Sequence, residues 1–167
     1  MKQLLSLLLC LSIIVPSMAK KEQRKQNVFP DGTPISEWFL QTKVVHPDSL
    51  GKKYDLSDYG IESNPHIVQT QKIQKIIDEA AANGGGVIYI PEGIYKSGSL
   101  FFKQGTHLYL SKGATLLGSE NIMDFPLLMT RIEGEYCKYF GALINADGLD
   151  TFTISGKGTI DGNGTPY

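Results

Sequence analysis

The sequence predicts an all-β solenoid, and three observations predict it. From Asn83 to Gly118 the chain is a series of short β-rich runs, Val87–Ile90, Ser99–Phe102, His107–Leu110 and Ala114–Leu117, cut apart by glycine. The gaps are too short for helical crossovers between parallel strands, so the turns keep winding the chain in one sense. A second block, Ala142–Gly164, repeats this grammar with Asp-Gly, Ser-Gly, Lys-Gly and Asn-Gly as turns. Ahead of the first run lies one amphipathic helical stretch, the kind of element that covers the end of a stack of β-coils, where apolar core and unpaired strand edges are otherwise exposed.

The elements follow in order. Residues 1–19 read as a secretory signal peptide: Lys2 is the positive start, Leu4–Val15 the apolar run and Ser17-Met18-Ala19 the small-x-small cleavage site. The apolar run is too short to span a bilayer core of about 30 Å. Cys10 lies inside that run, so lipidation is not expected there. The mature chain is expected to start at Lys20 and to be exported to the periplasm or beyond the cell. Cleavage leaves Cys137 without a cysteine partner, and it is expected to be a small buried hydrophobe. The formal net charge is −1 for the whole sequence and −2 once the leader with Lys2 is gone, a balance that invites neither nucleic acid nor an anionic membrane.

Residues 20–50 read as a leader and N-terminal segment. Lys20–Asn27 is a solvated charge run, and Trp38, after the Pro30-Asp31-Gly32-Thr33-Pro34 turn, is expected to dock as a core plug. Stacking of Trp38 on a sugar face is the alternative. Tyr54–Gly60 is a short strand candidate ending in a glycine turn. Asn64-Pro65 reads as an N-cap followed by proline, with a helix over Gln71–Ala82. Ile73, Ile76, Ile77, Ala80 and Ala81 form its apolar stripe. Asn83-Gly84-Gly85-Gly86 stops it with a left-handed cap. Between the two β-blocks, Glu120–Tyr139 breaks the pattern and reads as a loop or excursion from the coil.

Taken together, Tyr54–Gly60, the helix, the run from Asn83 through Pro91-Glu92-Gly93-Ile94-Tyr95, Gly113–Ser119 and Ile154–Gly164 resemble glycoside hydrolase family 28, the polygalacturonases. The resemblance covers about residues 29–167. Its opening section is shared by the wider pectin-lyase-like superfamily, and the GxGTIDGNG segment is its more family-specific piece. One departure is Glu62–Ile67, which stands where the superfamily often has an Asp-rich turn. The resemblance implies a right-handed parallel β-helix, with residues 51–167 as the N-terminal part of that domain. It also implies hydrolysis of pectic, galacturonate-containing polysaccharide with inversion, which requires two carboxylate roles about 6.5–9.5 Å apart.

The family's Asp-Asp, Gly-His-Gly and Arg-x-Lys motifs do not occur in this sequence. Asn145-Ala146-Asp147 spells Asn-x-Asp but precedes the GTIDGNG coil instead of following it, and both Asp147 and Asp161 read as turn residues before glycine. No catalytic residue is therefore assigned, and the chain is expected to be the N-terminal portion of an enzyme, inert alone and ending in an exposed coil over Thr151–Tyr167. Within the excursion, Arg131, Tyr136 and Lys138 are expected to flank a groove and meet an acidic sugar, because guanidinium pairs well with carboxylate. A surface insertion without a role is the alternative. Two other classes stay open: a non-catalytic β-helix module that binds polysaccharide, and a polysaccharide lyase of the same superfamily. The lyase would need calcium, and no acidic cluster offers a site for it; no metal or other cofactor is expected.

Overall fold

The computed structural model describes residues 27–40 and 44–165, so the expected signal peptide (1–19) and nearly all of the charge run Lys20–Asn27 lie outside the described residues. The chain divides into two units, one ending at Thr42 and one beginning at Lys43. In the first, Val28 and Pro34 form an antiparallel bridge around a turn in which Asp31 Oδ1 accepts from the Thr33 amide at 2.9 Å. Within this unit the Trp38 ring stacks on Phe39 with centroids 3.7 Å apart.

The second unit is mostly β, with parallel sheets and one α-helix. A 3-10 turn, Pro47–Leu50, precedes β1 (Lys53–Asp55). A second 3-10 turn, Leu56–Tyr59, starts where the Asp55 carboxylate accepts from the Ser57 amide and stops at Gly60 in the left-handed region. Then follow β2 (Asn64–Val68), α1 (Thr70–Ala82), β3 (Gly86–Ile90), β4 (Gly93–Ser97) and β5 (Leu100–Phe101). Next come β6 (Thr106–Leu110), β7 (Ala114–Gly118), β8 (Leu127–Ile132) and β9 (Glu135–Phe140). The last three strands are β10 (Ile144–Asn145), β11 (Ile154–Gly156) and β12 (Thr159–Asp161).

The chain visits three parallel sheets in rotation, ordered β1-β3-β6-β11, β2-β4-β7-β12 and β5-β10. Register places like on like: Tyr54, Ile88, Leu108 and Ile154 form one column, Tyr95, Leu116 and Ile160 another, and Leu100 lies beside Ile144. Since side chains alternate along a strand, each column points one way, and Tyr54, Ile88, Tyr95, Leu100, Leu108 and Leu116 converge in a single buried cluster. On the opposite face Tyr89 stacks on Tyr109 at 5.4 Å, a spacing close to that between neighbouring strands.

The helix lies alongside these sheets, with Ile73, Ile76, Ile77 and Ala80 buried in the same cluster. Its end is a Schellman turn: the Gly85 amide donates to Ala80 O at 2.8 Å and the Gly84 amide to Ala81 O at 3.2 Å, with Gly84 at φ 91°. Helix side chains also satisfy backbone on neighbouring strands. Thr70 Oγ1 accepts from the Gly98 amide at 2.7 Å, while Gln74 both accepts from the Phe101 amide (2.8 Å) and donates to the Phe101 carbonyl (2.9 Å). Across the other side of the helix, the Tyr59 hydroxyl donates to Glu79 at 2.9 Å.

Two expectations are corrected here and a third is made specific. Asn64-Pro65 opens β2 and not the helix: the Asn64 side chain accepts from the His66 amide at 2.8 Å, and the proline is tolerated because β2 is an edge strand. Glu120–Tyr139, expected as a loop or an excursion from the coil, is the excursion: a 3-10 turn, Ile122–Asp124, followed by most of the antiparallel hairpin β8–β9. Cys137 is half-buried in β9, opposite Thr130, instead of lying in the core.

Candidate functional site

The hairpin rises from a closed base, where the Gly141 amide donates to Pro126 O at 2.8 Å. Phe125, next to the base, is nearly buried and anchors it. At the tip only Glu133 and Gly134 lie between the paired residues Ile132 and Glu135, and both have positive φ, 52° and 96°. This is the backbone of a two-residue hairpin turn whose twist matches that of the strands.

Pairing in this register puts Leu127, Met129 and Arg131 of β8 on one face with Phe140, Lys138 and Tyr136 of β9. The three residues expected to bind substrate are thus brought together: Arg131 lies directly across from Tyr136, and Lys138 is two residues further along the same face. Tyr136 is 79% exposed. Arg131 Nε donates to Gly134 O at 3.1 Å, which orients the guanidinium across the tip. Among the described residues neither Arg131 nor Lys138 has an acidic ion-pair partner. The face therefore presents two uncompensated cations (Arg131, Lys138), two aromatic rings (Tyr136, Phe140) and two aliphatic side chains (Leu127, Met129) to solvent. Met129, Leu127 and Phe140 were not singled out from the sequence, because Leu127-Leu128-Met129-Thr130-Arg131-Ile132 shows no polar and apolar alternation that would mark one face of a strand.

Beside the base lies a groove of about 400 Å³, lined by Phe101, Phe102, Leu128, Met129, Asn145 and Asp147. Met129 joins it to the exposed face. Asn145, from the Asn-x-Asp run, serves the backbone: its Nδ2 donates to Ala142 O (2.7 Å) and Leu100 O (3.1 Å), and its Oδ1 accepts from the Ala142 amide (3.1 Å). Asp147 precedes Gly148, whose φ of 64° bends the chain. Asp161 accepts from the Asn163 amide at 2.8 Å, a side-chain turn that also sets Asn163 Nδ2 against Gly118 O at 3.1 Å. Among the described residues, no group of three or more His, Cys, Asp or Glu could hold a metal ion, and no helix is long and apolar enough to cross a membrane.

No family model matches the sequence. The chain is 33% identical, over 83% of its length, to an exo-poly-α-D-galacturonosidase of Dickeya chrysanthemi, and covers 24% of that enzyme. It is 37% identical, over 75% of its length, to the plasmin and fibronectin-binding protein A of Streptococcus pneumoniae, covering 17% of it. Among solved structures, the family 28 exopolygalacturonase of Yersinia enterocolitica superposes with a TM-score of 0.60 at 33% identity, over 67% of this chain and 21% of the enzyme. The chain thus spans about a quarter or less of the length of these relatives.

Proposed function

The chain is a glycoside hydrolase family 28-like protein over the part of those enzymes that it spans, and from this we propose that it serves in an exported hydrolase of pectic polysaccharide. In this reading the three parallel sheets are the faces of a right-handed β-helix, each turn of the chain adding a strand to them, and cleavage of the galacturonate polymer proceeds with inversion. The observation that carries the substrate assignment is the shared exposed face of Arg131, Tyr136 and Lys138. A polymer with a carboxylate on each sugar supplies what that face lacks: anions for two unpaired cations and pyranose faces for a ring.

Inversion needs one carboxyl to protonate the leaving oxygen and another to activate water. No side chain of this stretch is assigned to either role, since Asp147 and Asp161 sit singly in turns. The purified 167-residue chain is accordingly expected to bind polygalacturonate and release no reducing sugar. Reducing-sugar release that Asp161→Asn abolishes would make Asp161 a catalytic acid and overturn that part of the reading.

Binding tests the substrate assignment. A charge-assisted hydrogen bond contributes roughly 1.5–3 kcal/mol, so Arg131→Ala should weaken binding to polygalacturonate about 10–100-fold. Affinity for a neutral polymer such as galactan should stay unchanged, and added salt should weaken only the acidic polymer. Equal effects on both polymers would make Arg131 a structural residue. The similarity to a plasmin and fibronectin-binding protein favours a second reading, a binding module without chemistry. Hydrolysis by a longer protein containing this stretch would decide against it.

A further inference from the structure

We propose that the groove beside the hairpin base is a subsite for a uronic-acid residue whose carboxyl is methyl-esterified, seated next to free carboxylates held on the Arg131 and Lys138 face. The proposal rests on the pectic reading above and names the kind of pectic chain that this surface selects.

The groove's walls come from two separate sheets: Phe101 and Phe102 from β5 and its end, Leu128 and Met129 from β8. Its volume of about 400 Å³ falls within the range of small-ligand sites. The two polar groups differ in what they can offer. Asn145 has both amide hydrogens and its oxygen engaged with Leu100 and Ala142, so it is a fixed wall. Asp147 makes no hydrogen bond or ion pair among the described residues, and so its carboxylate is the groove's uncommitted polar group.

A carboxylate beside apolar walls accepts hydroxyl hydrogens but repels a second anion, and the repulsion grows as water is displaced. A free galacturonate is therefore disfavoured in the groove. Esterification removes the sugar's charge and adds a methyl group suited to Phe101, Leu128 and Met129, while the ring hydroxyls still serve Asp147. Met129 sits directly opposite Lys138, and the Arg131–Tyr136 pair lies two residues further along the same face. A sugar chain running from the groove onto the hairpin thus passes from a surface that repels anions to one that attracts them.

Calorimetric titration of the 167-residue chain with two probes tests this: unesterified oligogalacturonate, and oligogalacturonate of the same length that is partly methyl-esterified. The partly esterified probe should bind about tenfold more tightly. Asp147→Asn, at an exposed position, should raise affinity for the unesterified probe and shrink that preference, while Arg131→Ala should weaken both. Equal or tighter binding of the unesterified probe by the wild-type chain, with Arg131→Ala still weakening it, would overturn the subsite and leave the pectic reading standing. Absence of binding to either probe would overturn both.

Discussion

Among single residues, Lys96 is the most constrained by its surroundings. It lies in β4 between Tyr95 and Ser97, all three buried, and its ammonium meets the Glu120 carboxylate at 2.7 and 3.0 Å. The hydrogen bond from Lys96 holds the Glu120 carboxyl below its ordinary value of 4.5. A lowered folded value means that the unfolded chain binds more protons, so this stabilisation is present above pH 4.5 and is lost as pH falls through the folded value. His107 adds an earlier step. Burial pushes its imidazole below 6.5, and its Nδ1 is buried without a partner, so stability should begin to fall as pH drops through 6.5. Thermal melts across acidic pH should show both steps, with His107→Leu removing the upper and Glu120→Gln the lower. Glu120→Gln alone should also lower the melting temperature more than Glu120→Gln combined with Lys96→Met, because only the single change strands a buried ammonium. Equal melting temperatures for the two variants would show that the pair is solvated and immaterial.

At the scale of elements, the helix was the most legible and the hairpin the least. The isoleucine spacing announced a buried stripe, and Ile76→Ala should cost about 2–5 kcal/mol by leaving a cavity among β3, β5 and β6. A loss under roughly 0.5 kcal/mol in denaturant melts, typical of surface sites, would place that stripe in water. Less visible in the sequence is Gln74, a polar residue of the helix whose amide pairs with both backbone groups of Phe101 as another strand would. Gln74→Ala leaves those groups short of partners and should cost about 1–3 kcal/mol. The four runs read from the glycine-rich block all became strands, shifted by a residue or so at their ends. Strand β4 escaped notice because its lysine interrupts the apolar pattern, and only the carboxylate of distant Glu120 explains why that lysine is inside. Asn64-Pro65 misled because the same asparagine side chain can cap a helix or close a turn, and nothing local decides between them. The excursion's hairpin form is hidden in the sequence because Glu-Gly is an unusual pair for a turn that needs positive φ twice. Glu133→Asn should relieve that strain and raise the hairpin's resistance to proteolysis, whereas unchanged protection would show that strand pairing alone sets its stability. For the candidate site, Arg131, Tyr136 and Lys138 could be nominated by chemistry, but their shared face depended on a register that only the folded hairpin reveals.

At the scale of the whole molecule, sequence distance and distance along the stack come apart. Tyr89 and Tyr109 are neighbours on adjacent strands of one sheet, and so are Leu108 and Ile154, although the second pair is more than twice as far apart in sequence. The difference is the stretch holding β8 and β9, which adds chain without adding a layer. Because the Gly141 amide already meets Pro126 O, the two ends of that stretch touch. A chain lacking residues 127–140, with Pro126 joined to Gly141 through a short glycine link, should keep its melting temperature within a few degrees and, if the proposed pectic reading holds, lose binding to polygalacturonate. Collapse of the shortened chain would show instead that Leu128 and its neighbours brace the sheets. The hydrogen bond at the hairpin's base is, in genetic terms, a splice point: insertions and deletions accumulating there can exchange one ligand preference for another while the register of every stacked column stays as it was.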